Sequence, residues 1–180
     1  MAGPPAALAA RLHKALKTLS ARGQRLGVCE TSAGGFIAST LLAQPGASKF
    51  FAGGVVAYSM GAKQTFLGLE PEASKPTSTE PHAIELASAL RTALDVEWAI
   101  GETGVAGPSA NSRGISPGVC ALAVVGPSGA TSRMLYPTDT LSAADAYGQP
   151  PKLPRDEAMR KFADAALETL CEAVEKEAGP

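Results

Sequence analysis

The chain has 180 residues, 18.2 kDa, with 45% hydrophobic and 18% charged residues, which suits one folded domain with a full core and not a disordered segment. Its formal charge is −1 with no basic face, and no apolar run nears the ~20 residues that span a bilayer, so neither nucleic acid nor membrane is an expected partner. Cys29, Cys120 and Cys171 are odd in number and widely spaced, which fits neither a disulfide framework nor a metal site and suits a reducing, cytoplasmic setting.

The spacing of Leu8, Leu12, Ala15 and Leu19 predicts a helix over Pro5–Ala21 that stops at Gly23. The same stretch is basic, and its first acidic residue is Glu30, so an organellar transit peptide is the competing reading. Arg25–Cys29 reads as a buried strand running into Glu30-Thr31-Ser32-Ala33-Gly34-Gly35, and Phe36, Ile37, Leu41 and Leu42 then have helical spacing. A second strand is expected over Phe50–Tyr58, with a bulge at its glycine pair, then a short helix over Ala62–Leu67 and a loop over residues 70–76. Ser78 or Thr79 caps a helix with Pro81 in its first turn and Ile84, Ala87, Leu90 and Leu94 on its apolar side. Trp98–Gly101 and Val119–Val125 read as strands, with Thr131–Tyr136 as the hairpin partner of the latter across Gly126–Gly129. Residues 137–154 hold four prolines without periodicity and read as an irregular surface segment; Asp156–Lys176 is the last helix, with Phe162, Ala166, Leu170 and Val174 on one face. The expected fold is α/β: a single three-layer α/β/α domain over residues 1–180, with a mixed sheet covered by helices on both faces.

Three polar, glycine-containing segments follow strands: Glu30–Gly35, Tyr58–Lys63 and Thr103–Pro108. In an open α/β sheet such turns cluster at one edge, so they form one candidate site. The first offers two hydroxyls before a glycine pair that admits close approach to backbone N–H groups; its plainer reading is a helix cap. The second offers Tyr58 and Lys63; a desolvated lysine can act as a base, and the plainer reading is a surface lysine. The third offers Thr103 and backbone N–H groups, or simply a turn. His13 and His82 lack partners at ligand spacing and read as surface residues on helices, and no cluster suggests a metal.

Taken together, E-T-S-A-G-G (30–35), P-G-A-S (45–48), G-G-V-V-A-Y-S-M-G-A-K (53–63), T-G-V-A-G-P (103–108) and S-P-G-V (116–119) resemble the CinA C-terminal domain family, which includes bacterial nicotinamide-mononucleotide deamidases. The likeness spans about Lys14–Gly129, including the first helix, and more weakly Arg155–Leu170. It implies hydrolysis of the carboxamide of nicotinamide mononucleotide to nicotinic acid mononucleotide and ammonia, by a serine nucleophile and a lysine base, with no metal or other cofactor. The lysine maps onto Lys63 and the tyrosine onto Tyr58. The family serine falls on Thr31, and Ser32 and Ala33 stand where the family has cysteine and threonine; Met60 replaces an asparagine. Three outcomes stay open: attack by Thr31, attack by Ser32, or a nucleotide-binding module without hydrolysis. Substrate contacts are expected from Glu30, Gly34, Gly35, Thr103, Gly104, Ala106, Gly107 and Arg160. The partner implied is a small nucleotide, and a homo-oligomer is compatible with the alanine-rich helices.

Overall fold

The computed structural model describes residues 3–70, 76–137 and 154–179; most of the segments expected to be loop at 70–76 and irregular at 137–154 lie outside them. The elements in chain order are α1 (Ala6–Ala21), β1 (Leu26–Glu30), α2 (Phe36–Leu42), a 3-10 turn (Ala47–Lys49), β2 (Phe51–Val56), α3 (Met60–Leu67), α4 (Glu80–Leu94), β3 (Trp98–Gly104), β4 (Cys120–Gly126), β5 (Gly129–Leu135) and α5 (Arg155–Ala178). The strands form one sheet in the order β2-β1-β3-β4-β5. β1 runs parallel to β2 and β3, whereas β3–β4 and β4–β5 are antiparallel. The expected mixed sheet is present; the register against β2 slips between Leu26 and Gly27 and skips Ala52, so the irregularity precedes the Gly53-Gly54 pair at which the bulge is expected.

Alternation along the strands sets the two faces. Leu26, Val28, Trp98, Ile100, Leu122 and Val124 point to one side and pack with Leu12, Leu16 and Leu19 of α1, Ile37 and Leu41 of α2, and Phe162, Ala166, Leu170 and Val174 of α5. α1 is thus part of the folded core, as its likeness to the family implied and against the transit-peptide reading of that segment. The other side is built of small residues: Gly27, Ala99, Gly101, Ala121 and Ala123. They let α4 lie close on the sheet. A Cβ on Gly101 would sit 2.1 Å from the Ala83 carbonyl oxygen, so only glycine fits there.

Two expectations for α4 need correction. The helix buries His82, Ala83, Leu86, Ala87 and Leu90, so its inner face is turned from the expected one: Ile84 is only partly buried and Leu94 is 37% exposed. His82, expected at the surface, is 3% exposed. Both follow from the close approach to the small-residue sheet face, which selects Ala83 and Ala87 as contact points and carries His82 inward. The helix starts at Thr79, whose hydroxyl accepts from the His82 N–H, and it ends at Asp95 in the left-handed region.

Candidate active site

Because β1, β2 and β3 are parallel, their carboxyl ends share one edge, and the three polar turns meet there. A cleft of about 530 Å³ opens at this edge. Thr31, Ser32, Tyr58, Lys63, Thr103, Gly104, Ala106 and Gly107 all line it, beside Thr77, Arg113 and Arg155, which the sequence did not single out for the site, and Ser78, which it offered only as a helix cap.

The first turn is held by two buried carboxylates. Glu30 accepts from the N–H groups of Gly35 (2.8 Å), Ile37 (3.1 Å) and Ala38 (2.8 Å), so it caps α2. It is 1% exposed, and burial pushes its carboxyl up while those three N–H bonds hold it down. Glu30 is therefore a structural cap and not the expected substrate contact, and it takes the capping role that Thr31 and Ser32 offered in sequence. Gly34 and Gly35, at φ +64° and +102°, complete the turn, and a Cβ on Gly34 would meet the Met159 side chain at 2.5 Å. Neither glycine lines the cleft, and the Gly35 N–H belongs to Glu30.

The second carboxylate, Glu102, is fully buried on the α5 side of β3. It accepts from the Thr31 N–H (2.9 Å), the Ala33 N–H (2.8 Å), the Cys120 thiol (3.4 Å) and the Ser32 hydroxyl in a short bond. Ser32 is thereby turned toward Glu102. Thr31 is 6% exposed, and its hydroxyl makes no hydrogen bond among the described residues.

Lys63 is the one buried residue of α3 and is 4% exposed, so the surface reading of this lysine is corrected. Ser59 caps the helix by accepting from the Ala62 N–H at 3.1 Å, which aims Lys63 inward. Its amine lies 2.9 Å from His82 Nε2, and His82 Nδ1 lies 2.8 Å from Glu85 Oε2. Burial lowers the lysine's pKa, and Cys29, Glu102 and Glu85 partly offset that effect. Cys29 is no rival nucleophile, since burial pushes its thiol up to about 12.

Tyr58 stands at the mouth, 66% exposed, and its hydroxyl accepts from Arg155 at 3.4 Å rather than meeting Lys63. Arg155 also donates to the Gly107 carbonyl, so one guanidinium ties α5 to two walls of the cleft. Arg160, the expected phosphate contact, instead lies over the Phe36 ring, 4.4 Å from its centroid, in a separate groove. Among the described residues no group of three His, Cys, Asp or Glu side chains could hold a metal ion, and no helix is long and apolar enough to cross a membrane.

The family model for the CinA C-terminal domain matches residues 8–146. A CinA-like protein of Anaeromyxobacter dehalogenans is 43% identical over 113 residues, 62% of this chain and 28% of the relative; one from Parasynechococcus marenigrum is 37% identical over 116 residues, 63% of this chain and 28% of the relative. The chain thus spans under a third of the length of these relatives. Among solved structures, a competence/damage inducible protein of Agrobacterium tumefaciens has the same fold, with a TM-score of 0.78 and 22% identity over 97% of this chain and 99% of that one. A competence or damage-inducible protein of Enterobacter asburiae has a TM-score of 0.73 at 23% identity, over 91% of this chain and 96% of that one. The turn at 30–35, the glycine pair before Tyr58 and the turn at 103–108 lie within the matched residues, and the chain belongs to the CinA C-terminal domain family.

Proposed function

We propose that this protein is a metal-independent amidohydrolase that cleaves the carboxamide of nicotinamide mononucleotide, with Thr31 as nucleophile and Lys63 as base. The observation that carries the reading is a buried lysine with a lowered pKa lining the same cleft as a buried hydroxyl that makes no hydrogen bond among the described residues. Thr31 is favoured over Ser32 because the Ser32 hydroxyl is committed to Glu102.

In the acylation half, the Lys63 amine takes the Thr31 hydroxyl proton as Oγ bonds to the carboxamide carbon. The tetrahedral intermediate collapses with cleavage of its C–N bond, and the lysine ammonium protonates the leaving nitrogen, which departs as ammonia. Water then attacks the threonyl ester, giving one proton to Lys63, which returns it to Thr31 Oγ as the C–Oγ bond breaks; the product leaves as the carboxylic acid and loses its remaining proton to solvent as the carboxylate forms. Since Glu30 and Glu102 occupy the N–H groups of Thr31, Ala33, Gly35, Ile37 and Ala38, the oxyanion is assigned to the Ser32 N–H and to the turn at Thr103–Gly107 apart from the Val105 N–H, which donates to the Val119 carbonyl. Arg155 and Arg113, both on the cleft, supply positive charge for a phosphate.

A nucleotide-binding module without turnover is the second reading. It draws on Thr31-Ser32-Ala33 standing where the family has serine, cysteine and threonine, because the extra methyl on Thr31 restricts χ1. Ammonia release measured beside calorimetric binding of the same nucleotide separates the two. Release supports the amidase, binding alone supports the module, and neither removes the pyridine nucleotide as ligand.

A further inference from the structure

We propose that His82 and Glu85 form a proton relay behind Lys63, in which His82 takes the extra proton of the lysine and Glu85 holds the resulting imidazolium. The proposal rests on the assignment of Lys63 as the base of the reaction. His82 and Glu85 stand one helical turn apart on α4, so a single face presents both to α3.

The hydrogen-bond inventory restricts the chemistry. A carboxylate only accepts, so His82 Nδ1 donates to Glu85 at 2.8 Å, and Nε2 is left to face the Lys63 amine at 2.9 Å. One proton lies between Nζ and Nε2. On Nζ the pair is ammonium and neutral imidazole; on Nε2 it is amine and imidazolium. Moving it breaks one Nζ–H bond and forms one Nε2–H bond. Glu85 stays a carboxylate and the local charge is unchanged, so the transfer buries no new charge. A carbonyl in the place of His82 would also satisfy the ammonium, but it has no capacity for the proton. A carboxylate on the far nitrogen raises the basicity of an imidazole and fixes its tautomer.

The consequence is a base that needs no proton loss to solvent. The Lys63 lone pair becomes available to the Thr31 hydroxyl while the displaced proton waits on His82. Once Lys63 has taken the hydroxyl proton, the neighbouring imidazolium makes that ammonium a stronger acid toward the leaving nitrogen. Cys29 from β1, Glu102 from β3 and Arg113 from the β3–β4 loop also act on Lys63. Cys29 stays neutral below about 12, so near neutrality the charges acting on Lys63 among the described residues include Glu102, Glu85 and Arg113, beside His82 itself. His82 is a positioning residue here, since it acts through Lys63.

The decisive measurement is side-chain nitrogen NMR of the full chain at neutral pH. The relay predicts both His82 ring nitrogens protonated and Lys63 in its amine form. In His82→Gln, whose amide oxygen accepts a hydrogen bond but holds no proton, Lys63 should carry its charge at the same pH. An unprotonated His82 Nε2 in the wild type, which needs no variant to observe, overturns the relay, as does a Lys63 charge unaltered in His82→Gln. With nicotinamide mononucleotide, wild-type kcat/KM should be flat between about pH 6.5 and 8.5, whereas His82→Gln should rise about tenfold per pH unit. A loss uniform across pH would mark His82 as structural only and sink the relay. Absence of wild-type ammonia release counts against the amidase reading alone, because the NMR result then decides the relay by itself.

Discussion

Replacing Glu102 with glutamine tests how the turn that presents Thr31 is built. The carboxylate accepts from two backbone N–H groups at 2.8 and 2.9 Å, from the Ser32 hydroxyl and from the Cys120 thiol. In Glu102→Gln one oxygen still serves the Thr31 and Ala33 N–H groups. The new NH₂ faces Ser32, whose hydroxyl must turn to accept, and it faces Cys120, a weak acceptor. A hydrogen bond to a charged group contributes about 1.5–3 kcal/mol and a neutral one about 1, so three weakened bonds lose up to several kcal/mol. Relief of the buried charge acts in the opposite direction, which leaves a net cost of about 2 kcal/mol. For a chain of this size that lowers Tm by about 4–8 °C. Glu102→Leu should cost more, because it orphans both N–H groups and the hydroxyl at about 1–3 kcal/mol each. Urea unfolding with an unchanged m-value reads the stability directly. Ammonia release should fall further than stability does, since a misplaced nucleophile costs about 10²-fold per ångström. A Glu102→Gln protein as stable and as active as wild type would refute the idea that this carboxylate holds the turn.

Gly101→Ala places a Cβ 2.1 Å from the Ala83 carbonyl oxygen and 2.8 Å from the Ala87 nitrogen, so α4 must lift from the sheet. The expected cost is about 3 kcal/mol or more in chemical denaturation, and full retention of stability would contradict the close α4 contact. For Lys63 the sign is set by its lowered pKa: below the folded value the native state buries a charge that the unfolded chain solvates. Wild-type stability relative to Lys63→Met should therefore rise with pH through the window between the lowered pKa and the ordinary lysine value of about 10.4, and level off above it. A relative stability independent of pH in unfolding titrations would show that the Lys63–His82 pair keeps its shared proton up to the ordinary lysine range, against a lowered pKa.

The sheet and its helices are legible because the strands alternate or run wholly apolar and the glycine and proline stops are strong. α1 and α5 follow the same logic: the faces counted from Leu8, Leu12, Ala15 and Leu19, and from Phe162, Ala166, Leu170 and Val174, are the buried ones. The residues around the cleft are less legible where their state depends on a partner distant in sequence. His82 is polar and so reads as exposed, yet α3 brings Lys63 to it from 19 positions away; the helical spacing of His82 and Glu85 was the available signal. Glu102 is missed because the third strand is expected to stop at Gly101, although a carboxylate in an apolar run announces buried donors. Arg155 and Arg160 differ only in their place on α5. The first residue of the helix meets the cleft, and the sixth lies over Phe36. Periodicity inside α5 carries no information about which end meets the sheet edge.

In the proposed mechanism Thr31, activated by Lys63, attacks the carboxamide. Ammonia release from nicotinamide mononucleotide by wild type, Thr31→Ala, Ser32→Ala, Thr31→Ser and the Thr31→Ala, Ser32→Ala double variant tests it most directly. A Thr31 nucleophile gives turnover in wild type, loss by several orders of magnitude in Thr31→Ala, a mild change in Ser32→Ala, and an equal or faster rate in Thr31→Ser. Turnover in the double variant within about tenfold of wild type would contradict it, because neither hydroxyl would then belong to the mechanism.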